Sequence, residues 1–317
     1  MRRNIRTLIL IISAVIGVIA FQSSTFGQCD EDQYFWKVSS GNWSEPNNWQ
    51  HSIPDPCWGC VWAPGVPSAI DTTWIKNGGT SYITGDVTVL SHHIESNSTV
   101  KLLNGSLTVG EYAYVDYGGQ IEQSGGLIDI KREVQIGKQG SGTFIQTGGK
   151  TTVEGVDAGI VLGWGTGSYG RYELSGAAEL SAKALYVGNH GEGIVIQTGG
   201  KNTVVGGTYG FIIGNEIGSN GRYELTTGTL VTDKVLVGRE GTGSFVVDGG
   251  IINGTNDSAE IRVCGSKASL TGPGTFNIKV KYESNAVYGT DHSQPVSNTF
   301  QKDCLRTCMK SGVLSDN

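Results

Sequence analysis

Charge, histidine and helical patterning are all scarce in this sequence. Lys, Arg, Asp and Glu make up 16% of 317 residues, and 23 basic groups face 29 acidic ones. With a net charge of -6 and no basic stripe, the chain is poorly suited to nucleic acid or anionic lipid as its main partner. No repeat unit carries a ten-residue helical pattern, which argues against helix pairs as the building block. The chain has no GxSxG elbow, HExxH pair, phosphate loop or calcium-binding Gly-Gly-x-Gly-x-Asp repeat. The apolar run Leu8–Ala20 is 13 residues long, too short to span a bilayer comfortably. Arg2, Arg3 and Arg6 precede it and small residues at Ser23–Gly27 follow, so 1–28 reads as a cleaved signal peptide. The expected location is therefore secreted or cell-surface.

Glycine is abundant, at 49 residues, and it punctuates a repeat. One phrase recurs as QIEQSGG from Gln120, TFIQTGG from Thr143, RYELSGA from Arg171, IVIQTGG from Ile194, RYELTTG from Arg222 and SFVVDGG from Ser244. The steps between starts are 23, 28, 23, 28 and 22 residues, so a coil of about 25 residues sits inside a 51-residue doublet. A second phrase recurs as VQIG at Val134, IVLG at Ile160, LYVG at Leu185, FIIG at Phe211, VLVG at Val235 and IRVCG at Ile261. Apolar residues alternate over three to five positions between glycines, which is strand-and-turn chemistry. The aligned column Ile121, Phe144, Tyr172, Val195, Tyr223 and Phe245 is bulky throughout and is expected to point inward. Positions one and three of the second phrase are expected inward as well, and its glycine at a corner that other residues resist. The fold class is all-β: a parallel β-solenoid, or β-helix, of about eight coils. Right-handedness follows from the general preference of parallel crossovers, and the length would be on the order of 40 Å.

The pattern in VLVGREGTGSFVVDGG (Val235–Gly250) and LYVGNHGEGIVIQTGG (Leu185–Gly200) resembles the T5SS/PEP-CTERM-associated repeat of exported bacterial proteins. The resemblance covers roughly 107–280. It implies a secreted or surface-attached solenoid, usually without known enzymatic activity.

Residues 29–85 differ in composition. Trp36, Trp43, Trp49, Trp58, Trp62 and Trp74 are six of the seven tryptophans, and five of the seven prolines lie here too. One reading is a Trp/Pro-rich cap over the exposed end of the first rung. The other is a carbohydrate platform, with Trp43 and Trp49 stacking on sugar faces. The solenoid proper is expected over 86–280, and a C-terminal tail over 281–317.

Six cysteines in an exported chain favour disulfides: Cys29, Cys57, Cys60, Cys264, Cys304 and Cys308 are the candidates, with connectivity open. Cys57 and Cys60 also have the spacing of a zinc half-site, but Cys304 and Cys308 lie too far along the chain to favour it. No metal or other cofactor is expected. Adjacent His92 and His93 would point to opposite faces of one strand, which argues against a shared metal. Glu122, Glu173 and Glu224 share one outward column, roughly 9–10 Å apart, wide for a glycosidase pair.

The middle position of the second phrase should face out. There Val161, Tyr186, Ile212 and Leu236 would form an apolar ladder, read either as an association stripe or as ordinary strand support under the tail. The expected function is a non-enzymatic structural or adhesive surface protein, partnered by itself, by surface-layer or matrix proteins, or by polysaccharide. The alternatives are a glycan-binding module and, further off, a polysaccharide-degrading enzyme.

Overall fold

The computed structural model describes residues 29, 32–55, 59–156, 159–208, 210–282 and 287–288. The expected signal peptide, Cys57, Cys304, Cys308 and nearly all of the expected tail lie outside the described residues.

The described chain is a parallel β-solenoid of about nine turns. Each full coil contributes three strands to three parallel ladders. The first ladder takes the second phrase, as in Glu133–Ile136, Leu185–Val187 and Lys234–Val237. The second takes the first phrase, as in Ser141–Gln146 and Tyr169–Leu174, and the third takes strands such as Lys150–Val153 and Glu179–Ala182. In two coils the second and third strands fuse into Glu192–Val204 and Asn220–Thr232, with the register shifting between Gln197 and Lys201.

Both inward columns are as the repeat requires. Ile121, Phe144, Tyr172, Val195, Tyr223 and Phe245 are all buried, as are Val134, Ile136, Leu185 and Val187. The alternation works because consecutive strand side chains point to opposite faces. The glycine closing the second phrase adopts positive φ throughout: Gly137, Gly163, Gly188, Gly214, Gly238 and Gly265 lie between 64° and 76°. At Gly188 a Cβ would also sit 2.3 Å from the Asn220 carbonyl oxygen, so conformation and space both demand glycine.

The doublet has two physical causes. Gln146 and Gln197, the glutamines of IQTGG, point inward and donate to the Glu179 and Thr229 carbonyls of the next coil at 3.0 and 3.1 Å. The tyrosine of the following RYEL then donates its hydroxyl to the same glutamine: Tyr172 to Gln146 at 2.7 Å, Tyr223 to Gln197 at 2.5 Å. Each doublet thus carries one satisfied polar pair in its core. Coil length also alternates, because six-residue loops at 154–159 and 205–210 enter the first ladder where the coil between them has only 183–184.

Parallel pairing begins earlier than residue 86. Gln33–Trp36 pairs with Thr72–Ile75, and Ser40–Asn42 with Thr80–Ile83, so the Trp-rich module supplies the first coil itself. An antiparallel hairpin, Trp49–Asp55 with Gly59–Ala63, then extends the first ladder at its N-terminal edge. A disulfide between Cys29 and Cys60 ties the start of the described chain to the hairpin's outer strand. At the far end of that ladder Lys279 and Lys281 occupy the last strand, charges that discourage further strand addition.

Candidate functional site

The Trp-rich module puts three indoles into the core. Trp43 is 2% exposed and Trp49 0%; their rings meet edge to face at 4.5 Å, and Trp49 Nε1 donates to the Trp43 carbonyl at 2.8 Å. Trp36 packs against Trp49 at 5.0 Å. Neither Trp43 nor Trp49 offers a face to a sugar, so the carbohydrate platform expected of them is not available. An end of solenoid core exposes too much apolar surface to leave open, and these rings fill it.

The outward residues of the first ladder form one column by register: Phe35, Trp74, His93, Tyr114, Gln135, Val161, Tyr186, Ile212, Leu236, Arg262 and Lys281. Its middle is the apolar ladder read from the sequence. Those four side chains line up as expected, yet they are only 2%, 7%, 0% and 6% exposed and cluster with Ala184 apart from the main core. The two long loops account for part of this. Thr208 N donates to Val156 O at 3.0 Å, bridging the short coil between them, and Gly207 lies against Ala184. An exposed association stripe is therefore not what these residues make.

The N-terminal part of the column is different. Phe35, Trp74, His93 and Tyr114 are half-buried and aromatic on four successive rungs. Trp74 and His93 stack at 3.7 Å between centroids and 16° between planes, a separation at which two parallel rings must lie face to face. Phe35 is near-parallel to Trp74 at 6.4 Å, and Tyr114 follows His93 at 4.6 Å. Stacked so, Trp74 and His93 spend their faces on each other and turn their edges outward. Trp62, on the hairpin's outer strand, stands at 87° to Phe35 and is 60% exposed.

Cations flank the strip. Lys76 Nζ lies 4.9 Å from the Phe35 centroid and 5.0 Å from that of Trp74, Lys138 Nζ 4.2 Å from Tyr114, and Arg132 4.7 Å from Tyr112. Burial, then Lys138 and Lys76, depress His93 to about 4, so the ring is neutral at neutral pH. Glu95, 3.9 Å from His93, and Glu133 beside Gln135 are both held above the usual carboxylate range chiefly by burial. Two buried polar atoms here have no partner: Trp74 Nε1, a donor, and Gln135 Oε1, an acceptor. The sequence marked Trp74 and Trp62 only as members of a Trp-rich stretch. The outward alternation of TTWI, SHHI and YAYV was the signal that could have placed them together.

His92 faces the other way, as its adjacency to His93 requires. It is fully buried, 2.6 Å from Thr73 Oγ1 and edge-on to Trp43, and burial lowers it to about 3. The three carboxylates of the repeated outward column are each paired: Glu122 with Lys101 at 2.8 Å, Glu173 with Arg171 at 2.6 Å, and Glu224 with Arg222. Among the described residues no group of three or more His, Cys, Asp or Glu is placed to hold a metal ion. Cys264 is buried in the solenoid.

Fold and face together define a capped β-solenoid with an aromatic, cation-flanked strip at its N-terminal end. Comparison with protein-family models, with curated proteins and with solved structures finds no match.

Proposed function

We propose that this chain is a non-enzymatic structural and adhesive protein, exported and presented outside the cell as a rigid rod. The observation that carries the reading is the state of its repeated carboxylates: Glu122, Glu173 and Glu224 are each ion-paired to a cation on the same face. A general acid or base must keep a carboxyl ready for proton transfer, and a glycosidase needs two such groups at a fixed separation. Here each is instead neutralised by a neighbour on the same face, within one strand for Arg171–Glu173 and Arg222–Glu224 and across one rung for Lys101–Glu122. The Cys29–Cys60 bond suits an oxidising compartment, and the apolar start of the chain suits export. Surface protease treatment of intact host cells, followed by immunoblotting, tests presentation: loss of the signal supports it, and full protection with intact cells contradicts it. Long incubation of the purified protein with acidic and neutral polysaccharides tests the chemistry. The reading requires no new reducing ends and no unsaturated uronates.

A further inference from the structure

We propose that the outer face of the first ladder from Trp62 to Gln135 is a binding site for a linear acidic polysaccharide. The proposal deepens the adhesive reading by naming the partner's chemistry, and it rests on that reading only for access to such a polymer.

Three independent features converge on this ligand. The first is shape: Phe35, Trp74, His93, Tyr114 and Gln135 are consecutive in register, a straight track roughly 19 Å long at strand spacing. A linear polymer fits a straight track, whereas a compact ligand would need a concavity. The second is charge. Aromatic rings are positive at their edges, and the stacked pair turns its edges outward. Lys76 and Lys138 add full charges beside them, and both depress the neighbouring His93. Glu95 and Glu133 also lie along this strip, both partly buried, whereas Lys76 is exposed beside Phe35 and is the charge that a carboxylate of the polymer would meet. The third is an accessible stacking face: the indole of Trp62, 60% exposed and edge-on to Phe35, is open to one sugar ring. A single-stranded nucleic acid would share the charge but needs a row of exposed ring faces, which the stacking of Trp74 on His93 removes.

The experiment is calorimetric titration of the purified full chain with sodium polygalacturonate, dextran and oligo-dT in low salt. Saturable binding of polygalacturonate is expected, weakened at least about tenfold by Lys76→Glu or by Trp62→Ala and diminished by added salt. Ile217→Ser, an exposed apolar change on a distant loop, should bind as the parent does. Lys76 and Trp62 are exposed, so both variants should keep the parent's circular dichroism and thermal midpoint, which separates lost binding from lost fold. No binding of polygalacturonate, equal binding by the variants, or equal or tighter binding of dextran or oligo-dT would overturn the proposal. None of these outcomes bears on export or on absence of cleavage, which the preceding tests score separately.

Discussion

Single residues in this solenoid are fixed by what surrounds them on the rungs above and below. Tyr172 is the clearest case: its ring belongs to the apolar column and its hydroxyl satisfies Gln146. Tyr172→Phe should cost about 1–3 kcal/mol in urea denaturation, because Gln146 Oε1 is left buried without its donor. Glu173→Lys, next in sequence but facing solvent, should cost less than about 1 kcal/mol. Equal costs would mean that the inward and outward columns are wrongly assigned. His92 makes a second test. An unfolded chain takes up a proton below about pH 6.5, whereas the folded cap holds His92 neutral down to about 3. Stability contributed by the neutral ring is thus present above pH 6.5 and falls as pH drops towards 3, by up to about 1.4 kcal/mol per unit. His93, held down to about 4, acts in the same direction over a narrower range. Thermal midpoints measured from pH 7 to 4 should show His92→Asn with a flatter acid limb than the parent; parallel limbs would rule this role out.

Elements follow from the same repeats, with exceptions that mark where the pattern stops being local. The alternation of VQIG and LYVG gave the strands of the first ladder, because a period of two is all that a strand needs. It also gave the middle position as outward. What it could not give was burial of that outward column at Val161, Tyr186, Ile212 and Leu236, to which the contact of Thr208 with Val156 across a whole coil, and of Gly207 with Ala184, contributes. Shortening 205–210 to a two-residue corner, as at 183–184, should uncover apolar surface and drive self-association visible in sedimentation velocity. A monomeric, folded product would show that the loop does not cover the ladder. The Trp-rich module likewise read as a cap or a platform because tryptophan serves both purposes. The strand pairings decide it: Trp49 lies opposite buried Trp36, Trp43 follows Ser40–Asn42 where that strand pairs with Thr80–Ile83, and Trp74 lies opposite outward Phe35. The Cys29–Cys60 pair closes a separation of 31 residues, so Cys29→Ser should lower stability by about 3–4 kcal/mol by loop entropy. The loss should appear first as faster quenching of the cap indoles by acrylamide; unchanged quenching and unchanged stability would leave the bond without a structural role.

The whole molecule is a rod with unlike faces. Its second ladder shows repeated ion pairs, while its first is aromatic and cation-flanked near the cap, aliphatic and covered in the middle, and charged at the far end. The solenoid was legible because each coil restates it. The aromatic strip was not, because it occupies the coils where the glycine phrases are most degraded and becomes continuous only once strands 33–36, 72–75, 91–94 and 112–115 are set in register. Hydroxyl-radical footprinting of the full chain, read by mass spectrometry with and without polygalacturonate, tests this arrangement most directly. Trp62 should oxidise readily, Trp74, His93 and Tyr114 at intermediate rates, and Trp36, Trp43, Trp49, Tyr172 and Tyr223 scarcely at all; polygalacturonate should protect Trp62, Trp74 and Tyr114 selectively. Oxidation of Trp43 and Trp49 as fast as Trp62, or protection by the polymer at sites away from the strip, would contradict the account.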